Sequence, residues 1–133
     1  MGLVVWNTAQ TKGRGKTGTS YAIARTNTRW SVYVDGDVLC VTEDEAHAIA
    51  RTEYLEALRH VISGRGDELS PVELAHAAVV AKEMKEASDE IVLAGRLPRD
   101  ELDSVNEYSR HLEILLEVIR TEQTRRKAAG PAR

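Results

Sequence analysis

The stretch "RWSVYVDGDVLCVT", Arg29–Thr42, decides how the rest of the chain is read. Trp30, Val32 and Val34 alternate with Ser31 and Tyr33, the period of a strand with one buried face. Asp35-Gly36 follows, and an Asp-Gly pair between apolar runs predicts a hairpin turn in which both central residues take positive φ. "DVLCVT" is then the returning strand. Upstream, "SYAIART" (Ser20–Thr26) has a similar β-branched and aromatic make-up, and "TNT" (Thr26–Thr28) joins it to the strand of Trp30. The expectation is an α+β chain built on a small three-stranded antiparallel sheet, with "LVVW" (Leu3–Trp6) available as a fourth strand.

Beyond Thr42 every signal is helical. Thr42 and Glu45 have the spacing of a capping box, Ala46, Ile49, Ala50, Ala57, Leu58 and Val61 recur at helical spacing, and Gly64 ends the run. Ser70, Pro71 and Glu73 open a second helix that stops at Gly95. A third runs from about Asp100 to Lys127. Its Val105, Tyr108, Leu112, Leu115 and Ile119 form a seam in steps of three and four. The second helix opposes it with Leu74, Ala77, Ala81, Met84 and Ile91 in an antiparallel hairpin. Leu93, Leu116 and Val118 fall off the seam, so a second apolar face is expected against the sheet, the first helix or another copy of the chain. The 133 residues read as a single domain: a flexible basic arm (1–20), sheet plus first helix (21–64), helical hairpin (70–127) and tail (128–133).

"KGRGKTGTS", Lys12–Ser20, shares letters with a phosphate-binding loop. The first glycine of that pattern falls at Gln10, and only about eleven residues separate Thr17 from the next strand, too few for a parallel crossover. The GKT is therefore read as non-functional and the segment as an extended cationic stretch. Other chemistry is thin. His47, His60, His76 and His111 include one E-x-x-H pair (Glu73, His76) and a Glu107–His111 pair, short of what a di-metal bundle needs. Cys40 lies in an apolar strand and reads as an inert small hydrophobe. The reading is of a non-catalytic protein with no metal and no cofactor.

Charge is more informative. The opening 34 residues hold Lys12, Arg14, Lys16, Arg25 and Arg29 and no acid; the remainder holds 13 basic and 21 acidic side chains. A cationic end beside a strand carrying Tyr33 points to a polyanion, with arginine and lysine for phosphates and an aromatic ring for stacking. The basic stretch Arg120, Arg125, Arg126, Lys127 and Arg133 closes the chain. A single cysteine fits a reducing, cytoplasmic compartment, and no apolar run is long enough for a membrane span.

"RWSVYVDGDVLCVTEDEAHAIA", Arg29–Ala50, resembles the strand–turn–strand–helix unit of phage integrase arm-type DNA-binding domains. The resemblance implies that the sheet enters the major groove with Arg25, Arg29 and Tyr33 toward DNA, in a small phage accessory protein. It departs from that family in a third strand without a basic residue. The nucleic-acid-binding set expected is Lys12, Arg14, Lys16, Arg25, Arg29 and Tyr33, facing DNA or RNA in a regulatory role. The competing expectation is a protein-interaction module, an adaptor, inhibitor or assembly protein. It would bind a host protein or its own copy through helices two and three, with Leu116 and Val118 as contacts.

Overall fold

The computed structural model describes residues 2–9 and 11–129; Met1, Gln10 and the end of the tail, including Arg133, lie outside the described residues. Five strands come first: β1 (Val4–Trp6), β2 (Lys12–Gly15), β3 (Ser20–Thr26), β4 (Arg29–Val34) and β5 (Asp37–Thr42). They pair in sequence order as one antiparallel meander. Helices α1 (Glu45–Ile62), α2 (Pro71–Ala94) and α3 (Arg99–Ala128) follow, with a single 3₁₀ turn at Gly66–Glu68.

The α+β class fits, but the three-stranded sheet does not: there are five strands. The segment expected to be an arm supplies β2, and "LVVW" supplies β1. Gly13 and Gly15 are what gave β2 the look of a loop, and they are also what lets it lie down. A Cβ at Gly13 would stand 2.8 Å from a Val4 methyl and 2.9 Å from the Trp6 ring, and one at Gly15 would collide with the Glu56 carboxylate. Low strand propensity is here overridden by close packing. Lys16 sits in the turn between two antiparallel strands, with Gly18 at φ +94°, and leads into β3, not into a helix.

The hairpin read from Asp35-Gly36 is present, with φ of +50° and +92°. The cap of α1 is not Thr42, which ends β5. Asp44 caps it by accepting from the His47 N–H at 2.8 Å, two residues later than the expected box. For α2 the box of Ser70 and Glu73 forms in both directions and Gly95 closes the helix at φ +65°.

Register assigns the faces. Val4, Trp6, Tyr21, Ile23, Val32 and Val34 share one side, where α1 packs, and join the cores of buried residues there. Ala77, Ala81, Leu112 and Ile119 are buried between α2 and α3, as the interlocking seam requires. Ile91 and Tyr108, expected in that seam, stay 47% and 46% exposed. Of the residues expected off the seam in a second apolar face, Leu116 packs half-buried against the main core, whereas Leu93 and Val118 are exposed.

Candidate nucleic-acid interface

The side of the sheet turned away from α1 is uncovered. Register puts Val5 and Arg14 with Ser20 in one row, Lys12, Ala22, Tyr33 and Val38 in the next, then Ala24, Ser31 and Val41, then Thr26 with Arg29. Small side chains form the floor and cations stand at both ends. Across the strands, Lys12 and Tyr33 are about 10 Å apart, two strand spacings; along β4, Arg29 lies about 13 Å from Tyr33. Lys12, Arg14, Ser20, Ala22 and Tyr33 line a shallow depression of about 590 Å³. Among the described strand residues of this face, none is acidic.

Local structure holds these side chains in place. The Asn7 carboxamide oxygen accepts from the Thr11 and Lys12 N–H groups at 2.9 and 3.3 Å, fixing the loop that delivers Lys12. Arg14 donates to the Gly18 carbonyl at 3.3 Å across the β2–β3 turn. A one-residue bulge at Leu39, opposite Val32 and Tyr33, brings Val38 beside Tyr33.

Of the six expected residues, Lys12, Arg14, Arg29 and Tyr33 therefore share one face. Arg25 does not: it pairs with Trp30 on the helix side and its Nε donates to the Asn27 carbonyl at 3.2 Å. Lys16 stands at the β2–β3 turn. Among the described residues none of these five cations forms an ion pair, although Lys16 is near enough to Glu68 to help lower its carboxyl. The basic end of α3 is different, since Arg120, Arg125 and Arg126 pair with Glu117 and Glu122.

Sequence reasoning missed the exposed valines 5, 38 and 41 and the small floor. The K-G-R-G alternation, with both cations two apart, was the available signal for a strand with one charged face.

It also missed a polar cluster beneath the sheet. Glu56 is fully buried; its carboxylate accepts from the Tyr21 hydroxyl and the Thr17 N–H, each at 2.8 Å. The His60 Nδ1 lies 2.8 Å from the Glu56 carbonyl, so that nitrogen carries the proton. Burial, then the Glu56 carboxylate, pushes the Tyr21 hydroxyl far above its usual range. On the preceding turn of α1, Glu53 accepts from the Leu3 and Val4 N–H groups. Both carboxylates tie the N-terminal strands to α1.

Among the described residues no group of three or more His, Cys, Asp or Glu is placed to hold a metal ion, and no helix is long and apolar enough to cross a membrane. The fold and face together define an α+β protein with a helix-backed meander whose open side is cationic. Comparison with protein-family models, with curated proteins and with solved structures finds no match to this chain.

Proposed function

We propose that this protein binds nucleic acid, in a non-catalytic and regulatory role, through the sheet face that the helices leave open. One observation carries the reading: Lys12, Arg14, Arg29 and Tyr33 share one face whose described strand residues include no acid, and among the described residues none of the three cations joins an ion pair. Cations at both ends suit phosphates more than one nucleotide apart, the Tyr33 ring offers a base a stacking partner, and the small Ala22 and Ala24 side chains let a backbone or base edge approach. The resemblance of Arg29–Ala50 to phage arm-type domains supports a sheet as the reading element, with Arg29 and Tyr33 retained and Arg25 removed from the contact set. The compartment proposed is the cytoplasm, where a lone cysteine stays reduced.

Fluorescence anisotropy with random duplex and single-stranded DNA and RNA, titrated with salt, tests this. Wild-type affinity falls steeply with salt, by a slope of about −0.9 per phosphate neutralised on duplex. The combined Lys12→Ala, Arg14→Ala, Arg29→Ala variant flattens that slope by up to about three such increments, while Arg25→Ala leaves it unchanged. Equal affinity and slope in wild type and triple variant would remove the reading.

A second reading, a protein-interaction module, is favoured by Ile114 and Val118, which are 56% and 48% exposed on α3. Binding there tolerates salt and is lost in Val118→Asp.

A further inference from the structure

α2 packs along both α1 and α3, which meet each other little, so a valley runs between the end of α1 and the outer flank of α3. Val61 and Leu74 wall it on one side and Ile114 and Val118 on the other, around a groove of about 570 Å³. On α3, Glu107, His111, Ile114, Val118, Thr121 and Arg125 are all exposed and recur in steps of four and three. This is a second seam, distinct from the buried one at Leu112 and Ile119, and it has the spacing of a coiled-coil stripe.

The stripe is complementary to itself when reversed. About position 116, Ile114 is the counterpart of Val118, His111 of Thr121, and Glu107 of Arg125. Two antiparallel copies would thus stack isoleucine on valine twice at the centre and set a glutamate against an arginine at each end. The wider charge pattern agrees: the first turn of α3 carries Asp100 and Glu101 and the last carries Arg125, Arg126 and Lys127. A parallel pair would set acid against acid; an antiparallel pair sets acid against base and also opposes the helix dipoles. Glu117 would meet its own symmetry mate beside the axis, but it is already paired with Arg120 of its own helix; Arg125, paired with Glu122 in the single chain and exposed beside it, would share its guanidinium between Glu122 and Glu107 of the second copy.

We infer that the protein forms a two-fold symmetric dimer in which the outer seams of two α3 helices pack antiparallel, with Ile114 against Val118 and Glu107 against Arg125. The contact is isologous and closes on itself.

Sedimentation equilibrium of the full chain across the micromolar range tests this, with circular dichroism reporting the fold of each variant. Wild type is a dimer, and Ile114→Glu, at a position exposed in the single chain, is a folded monomer. Glu107→Arg and Arg125→Glu each weaken dimerisation by about tenfold or more, because symmetry makes every substitution act twice, and the two together restore it. A wild-type monomer at all concentrations, or a dimer indifferent to Ile114→Glu, would overturn the inference. A double swap no tighter than the singles would overturn the register.

Discussion

Glu56 governs how the N-terminal strands are held. A carboxylate without exposure needs every oxygen satisfied, and Tyr21 and Thr17 supply the donors from β3 and the β2–β3 turn. Tyr21→Phe removes one hydrogen bond to a charged group, which costs about 1.5–3 kcal/mol in urea unfolding. The same residue sets a pH dependence. Its hydroxyl titrates higher in the folded chain than its ordinary 10.0, so the native state keeps a proton that the unfolded chain releases. Stability is therefore fully present below pH 10 and declines as pH rises above it. Tyr21→Phe is expected to flatten that alkaline decline; an identical slope in the variant would contradict the assignment. No periodicity of apolar residues flags an acid at a core position. Only the phase of Glu56 with Thr52 and His60, four residues to either side, could have suggested it.

At the scale of elements, the hairpin of β4 and β5 and the two capping signals of α2 were legible because each rests on local chemistry: positive φ at Asp35-Gly36, a Ser–Glu box, a glycine stop; α3 was legible from its apolar spacing, with no side-chain cap at its start. β2 was not, since its glycines answer to Trp6 and Glu56, partners on another strand and on α1 that no local strand pattern contains. The α1 start was misplaced by two residues because Thr42 and Asp44 are both competent caps, and pairing with Trp30 draws Thr42 into the sheet. The end of α3 is fastened by tertiary contacts of the same kind. Glu122 holds Arg126, whose guanidinium donates to the Gly66 and Asp67 carbonyls at 3.2 and 3.3 Å. Arg125 and Arg126 hold the Glu122 carboxyl down at about 2 from an ordinary 4.5. With the folded value depressed, its contribution is present above pH 4.5 and lost as pH falls toward about 2. Acid unfolding of Glu122→Gln should show a shallower dependence across that window; an unchanged profile would contradict the clamp.

For the whole molecule, the division of charge along the chain becomes a division of space. The acid-free opening quarter supplies four of the five strands of a sheet with one side against α1 and the other open, and the acidic remainder supplies β5 and the helical base. The candidate site was legible as composition but not as geometry: five cations could be counted, while only register separates Lys12, Arg14 and Arg29 from Arg25. The most direct test of that face is amide chemical-shift mapping of the isotope-labelled protein during titration with a short random oligonucleotide at low salt. The account predicts perturbations concentrated on Val5, Lys12, Arg14, Ala22, Arg29 and Tyr33, reversed by added salt. Perturbations confined to α2 and α3, or none at saturating oligonucleotide, would contradict it.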